Sequence, residues 1–155
     1  MTDFDRVYKG IELKGRWKAT LTGPDGATKQ TVYGHNVVCT NGKEFLASFL
    51  SSAAAAAATF TMKYVGIGTD ATGEAAANTI LGTELARHTG TVSYVSGRIY
   101  RVTATFAAGT GTGAIVEYGL FSANSGGTML NRDTESVVNK GASDTLTAQL
   151  DLELS

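Results

Sequence analysis

Asp151 and Glu153 stand two apart in the alternating run Leu146–Leu154. On a strand that spacing puts both carboxylates on one face, roughly 7 Å apart. Inverting glycoside hydrolysis uses such a separation, one acid protonating the leaving group while the other activates water. Alternating acids are also what the solvent face of a soluble edge strand carries, and that is the reading taken here. Gly66-Ile67-Gly68-Thr69-Asp70-Ala71 has the spacing of a dinucleotide fingerprint. The fingerprint needs a helix directly after it, so that the helix N-terminus meets the pyrophosphate. Thr72–Asn78 has no amphipathic face to supply one.

Other constellations fail on spacing. Asp70, Thr72 and Glu74 set oxygens at alternate positions, but an EF-hand loop needs more carboxylates at other intervals, so a plain turn is expected. Gly42-Lys43 is followed by Glu44 and lacks the glycine of a phosphate-cradling loop. Gly141–Thr145 lacks the last glycine of a nucleophile elbow, and His35 and His88 lie in unrelated contexts. The single Cys39 can form no internal disulfide, and no Cys/His group has zinc spacing. The chain therefore reads as non-enzymatic, with no catalytic residue, cofactor or metal.

A net charge of −1 gives no general attraction to phosphate. One local basic ladder stands out, Lys14, Arg16 and Lys18, on the wet face of the first strand; it lacks the interleaved aromatics that stack single-stranded bases, so no nucleic-acid partner is expected. Residues 45–62 carry no charge over nearly a membrane-spanning length, but seven are Ala and five Ser or Thr. That composition inserts poorly, and no membrane role is expected. The first ten residues hold no apolar stretch resembling a signal peptide.

These side chains must be positioned by strands. Period-two alternation runs from Ile11 to Leu21, from Ile99 to Phe106 and from Thr145 to Leu154. Gly23-Pro24-Asp25-Gly26 should reverse the chain into a second strand at 28–39. Tyr64–Ile67 fits a short buried strand, and Ser122–Thr128 is a turn cluster. Gly109–Gly113 should join Ile99–Phe106 and Ala114–Phe121 as a hairpin with a longer loop. One helix near residues 42–52 is expected, with Asn41 as N-cap, Glu44 reaching back to it, and Phe45, Leu46, Phe49 and Leu50 at helical spacing. The Ala53–Ala58 run either extends this helix or links it onward, and Ile80–Arg87 admits a second short helical turn. The expectation is an all-β fold, sandwich or jelly-roll-like, of about eight strands. Residues 1–10 would form an arm ahead of a single domain at 11–155.

Six blocks in order then bear a resemblance. Asn36-Val37-Val38 with Asn41-Gly42-Lys43, Tyr64–Thr69, Leu81–Arg87, Glu117–Phe121, Gly126–Arg132, and Lys140 with Asp144–Thr147 resemble small virion proteins of tailed bacteriophages. The resemblance covers about residues 30–155. It implies a β-sandwich subunit of a particle with no active site to transfer, located in the virion after synthesis in the host bacterial cytoplasm.

The role expected from it is a capsid decoration, or cement, protein on the outer surface of the head. The partners would be the major capsid protein and further copies of the chain, as a dimer or trimer. Contacts of roughly 1,000 Å² each, repeated in an oligomer, would make release slow. The arm, with Phe4 and Tyr8 among charged residues, and the Lys14, Arg16, Lys18 ladder are the candidate interface. The alternative is a tail, fibre or baseplate component binding a host glycan, for which Tyr94 and Tyr118 are the mid-chain aromatic candidates; Tyr118 is expected to point into a strand pair. A glycan depolymerase using Asp151 and Glu153 is the third reading.

Overall fold

The computed structural model describes residues 12–51 and 62–155. The arm at 1–10, with Phe4 and Tyr8, and the Ala53–Ala58 run lie outside the described residues. Nine strands and one helix follow in chain order: β1 Leu13–Thr22, β2 Thr28–Val38, α1 Thr40–Ser51, β3 Tyr64–Gly68, β4 Glu84–Thr89, β5 Thr91–Ser96, β6 Ile99–Phe106, β7 Gly113–Phe121, β8 Met129–Lys140 and β9 Thr145–Leu154. The fold is all-β with one short helix, as the alternation predicts, and has nine strands against the eight or so expected.

All nine strands are antiparallel neighbours in one hydrogen-bonded order, β4-β3-β7-β8-β2-β1-β9-β6-β5. The two layers of a sandwich are here portions of one bent, nearly closed sheet. Two features make the bends. β2 pairs with β1 along Thr28–Asn36 and then, through Val37 and Val38, with Arg132 and Asn131 of β8. At the other side Gly90 alone separates β4 from β5, the two edge strands of the order. Its N–H donates to the Lys63 carbonyl at 2.7 Å, and a Cβ there would lie 2.5 Å from Val102 Cγ1. Only glycine lets the backbone turn that corner so close to the core.

The interior is filled from both portions. Trp17, Ala19 and Leu21 of β1, Val102, Ala104 and Phe106 of β6, and Leu146, Ala148, Leu150 and Leu152 of β9 meet Val65 and Ile67 of β3, Ile115, Tyr118 and Leu120 of β7, and Leu130 and Val138 of β8. The Trp17 and Tyr118 rings join the two sides, with centroids 5.4 Å apart. Each fully buried Leu, Ile or Phe contributes about 1.5–3 kcal/mol relative to exposure.

Two expectations need correction. The strands flanking Gly109–Gly113 do not form a hairpin, because β6 pairs with β9 and β5 while β7 pairs with β3 and β8. The connection crosses between the two portions of the sheet, held by Gly109 N–H on the Ala142 carbonyl and Lys140 Nζ on the Ala107 carbonyl. β6 instead finds eight facing positions on β9, Ile99 through Phe106 against Glu153 through Leu146. Glu84–Thr89 is strand β4 rather than a helical turn, since pairing with β3 satisfies its backbone.

The Gly23–Gly26 turn forms as read, with Gly26 at φ 80° and Ala27 N–H donating to Asp25 Oδ1. Helix α1 begins at Thr40, before the expected cap Asn41, which is exposed. Its Gly42 rests on β8, where a Cβ would lie 2.3 Å from the Leu130 carbonyl oxygen. Among the described residues no helix is long and apolar enough to cross a membrane.

Candidate interaction surface

Alternation along β1 turns Trp17, Ala19 and Leu21 inward and leaves Lys14, Arg16 and Lys18 exposed, as the sequence requires. Their neighbours come from β2, β9 and β6. Lys14 pairs with Glu12 at 3.2 Å, Arg16 with Glu153 at 2.8 Å, and Lys18 lies over the Tyr33 ring at 5.9 Å. Arg98 reaches the other oxygen of Glu153 at 3.8 Å. Arg101 makes two bonds of 2.6 Å to Asp151, which hold its guanidinium above its ordinary pKa. Five cations thus face three carboxylates, Glu12, Asp151 and Glu153, and the surface stays net positive.

Two shallow clefts of about 350 Å³ each flank β1 on this face. One is lined by Lys14, Arg16, His35 and Glu153, the other by Lys18, Tyr33, Arg101 and Asp151. Exposed ion pairs add only about 0–1 kcal/mol each to stability. What they do is fix the directions in which long side chains point, so less side-chain freedom is lost when a partner docks.

The Asp151 and Glu153 carboxylates share this face, each engaged by arginine, and Asp151 is largely covered. Other sequence-level candidates are also accounted for. Asp70 Oδ1 accepts from the N–H and hydroxyl of Thr72, which hold its carboxyl below the usual range. Glu74 accepts instead from the Thr134 hydroxyl. No helix follows Gly66–Ala71, since residues 69–83 form a loop. Gly141 N–H donates to Asp144 Oδ2, closing a turn, and His88 packs against Phe106 with centroids 6.0 Å apart. Among the described residues no three His, Cys, Asp or Glu converge on a metal position. Tyr118 is buried, as expected, while Tyr94 is 77% exposed on edge strand β5.

Sequence reasoning missed Tyr33, which is 69% exposed, and the ion pair behind the long loop. Glu117 of β7 and Arg132 of β8 are both buried, with Arg132 Nε and Nη2 donating to Glu117 Oε2 at 3.1 and 2.9 Å. Glu117 also accepts the backbone N–H groups of Asp70, Gly82 and Thr83 at 3.2, 2.9 and 2.7 Å. The arginine reaches on to the Gly73 carbonyl and Asn78 Oδ1. One charge pair thereby pins both ends of the 69–83 loop. A single charge inside each apolar run, AIVEYGLF and GTMLNR, was the available signal.

At one end of the barrel-like sheet an apolar groove of about 330 Å³ opens between α1 and the strands, lined by Leu13, Phe45, Phe49, Met62, Tyr100 and Leu152. The Tyr100 hydroxyl donates to the Met62 carbonyl at 2.7 Å, and burial pushes its pKa up to about 12. Comparison with protein-family models, with curated proteins and with solved structures finds no match to this chain.

Proposed function

We propose that the chain is a decoration subunit of a tailed-phage head, bound as a homo-oligomer to the outside of the capsid and bridging major capsid subunits. The observation that carries this reading is the exposed face of β2, β1, β9 and β6, where Arg16, Arg101 and Tyr33 line two clefts and Arg98 stands beside Glu153. Arg and Tyr are enriched at protein interfaces, and oriented ion pairs on a sheet face suit a broad docking contact. The resemblance to phage virion proteins is compatible with it. Several of its blocks, Tyr64–Thr69, Leu81–Arg87, Glu117–Phe121 and Gly126–Arg132, meet around the Glu117–Arg132 pair, so the shared residues build the scaffold and leave the face free to carry specificity. Exposed Val92, Tyr94 and Val95 on edge strand β5 offer a second contact surface for neighbouring copies.

A second reading, a tail or baseplate protein that binds a host glycan, is favoured by exposed Tyr33 in a polar cleft, because an aromatic ring beside hydrogen-bonding groups suits a sugar. The test is co-sedimentation of the purified protein with heads assembled without it, together with immunogold labelling of intact virions. Saturable binding, label spread over heads and loss of binding in Arg16→Glu with Tyr33→Ala are expected. Label on tails selects the second reading, and absence of label from virions overturns both.

A further inference from the structure

β2 and β8 pair only through Val37 with Arg132 and Val38 with Asn131. Continuing that register sets Asn36 across from Asp133 and Gly34 across from Glu135, where the strands are no longer hydrogen-bonded. Polar groups collect in this opening. Asp133 and Asn131 are fully buried, yet among the described residues the Asp133 carboxylate meets only the adjacent Thr134 N–H, outside good hydrogen-bond geometry, and the Asn131 amide has no hydrogen-bond partner. The same holds for the buried Tyr118 hydroxyl, the Trp17 indole N–H and the Asn36 amide. A buried polar group left unpaired is costly, so these five side chains together need a partner.

Two glycines make the room. A Cβ on Gly34 would lie 2.1 Å from Glu135 Oε1 and 2.5 Å from Asp133 Oδ2, so both carboxylates converge over its bare backbone. A Cβ on Gly15 would lie 1.4 Å from Asn36 Oδ1. Among the described residues no Lys or Arg forms an ion pair with Asp133 or Glu135. Arg132 alternates to the opposite side of β8, where Glu117 takes it. Burial, and after it the Glu135 and Glu74 carboxylates, push Asp133 up to about 8 against the weaker pull of the Thr134 N–H. Tyr118 is raised too, by burial and then by Asp133 and Glu135, which places its hydroxyl beside the pair. Glu135 is only partly covered, so the opening reaches solvent on its side.

We propose that Asp133 and Glu135, with the Asn36 amide and the Tyr118 hydroxyl, form a binding site for a hard divalent cation, with calcium the best fit. Two carboxylates supply the charge that a divalent ion neutralises. Neutral amide and hydroxyl oxygens with water complete an all-oxygen shell, which suits calcium and excludes the sulfur- and imidazole-seeking metals. The donors lie on β2, β7 and β8, so the ion would bridge strands where backbone pairing stops.

The test uses the full chain and terbium as the probe, with Trp17 as the built-in donor for sensitised emission. Terbium should give saturable emission on ultraviolet excitation, and calcium should compete it away. Asp133→Asn and Glu135→Gln should each weaken terbium binding by about 100-fold or more, since even outer-shell partners of a metal are worth roughly 10–100-fold. Calcium should raise the melting temperature of the native chain and leave Asp133→Asn unchanged. If emission is the same in the native chain and both variants, and chelator leaves the melt unmoved, the proposal is overturned. Asp133 is then simply a carboxyl protonated by its neighbours. That result would show as stability lost as pH rises from the ordinary carboxylate range to about 8, and level above it, whatever cation is present, and removed by Asp133→Asn.

Discussion

Replacing Glu117 by Gln removes one negative charge and alters almost nothing in volume. The native carboxylate receives five donors: the N–H groups of Asp70, Gly82 and Thr83, and two nitrogens of Arg132. A glutamine carboxamide offers one acceptor oxygen and turns its NH₂ toward groups that are themselves donors. The Arg132 side chain, 2% exposed, would keep only Asp70 as a charged neighbour, at 3.4 Å on the solvent side of the loop. Removing one member of a buried ion pair costs about 3–5 kcal/mol. For a domain of this size each kcal/mol lowers the melting temperature by about 2–4 °C, so a drop of about 6–20 °C is expected by circular dichroism. The double variant Glu117→Gln with Arg132→Met should recover part of the loss, because contacting pairs are non-additive by about 0.5–3 kcal/mol. Hydrogen exchange should speed up first at the amides of Asp70, Gly82 and Thr83. A loss below about 1 kcal/mol, or strict additivity in the double variant, would refute the view that this pair anchors the loop.

Cys39 is fully buried and burial raises its thiol pKa, against the opposing pull of Arg132 and Lys43; a thiol reagent should therefore label it only after denaturant is added, and rapid labelling of the native protein would contradict the packing. The Asp144 carboxylate is held below its usual value by Lys29 at 2.7 Å and by the Gly141 N–H. Its contribution is present above the ordinary carboxylate pKa and disappears as pH falls through the lowered folded value. Melting curves of the native chain and Lys29→Met should accordingly differ at neutral pH and converge in acid.

Strands with one wet face were legible, because β1 and β9 repeat an apolar residue every second position for about ten residues. The turn at Gly23–Gly26 and the hairpin turn at Ser122–Thr128 were equally plain from Gly, Pro and Asp. Pairing partners were not. Nothing in Gly109–Gly113 distinguishes a hairpin loop from a crossing, since both need glycine, and the choice rests on β9 offering β6 an apolar partner row. β4 hid because a six-residue edge strand with partly exposed residues on both faces has no clear period. At the surface, Lys14, Arg16 and Lys18 were visible as a ladder, but the pairing of Arg16 with Glu153 and of Lys18 with Tyr33 depends on register between strands. Asp133 and Glu135 drew no notice for a related reason. Alternating acids in a sequence look the same whether they face water or the opening between β2 and β8.

β9 is the last of the nine strands, yet it lies between β1 and β6, matching Leu13–Thr22 residue for residue against Leu154–Thr145. The backbone of Glu12 also exchanges hydrogen bonds with that of Ser155. During synthesis, therefore, the Trp17 side of the interior stays without its neighbour until β9 has cleared the ribosome, and the long loop from β1 to β9 must close at once. Until then β1 and β6 present unpaired edges that invite other chains. Folding is thus tied to synthesis of β9, and no nascent form that stops short of it can complete the barrel-like sheet.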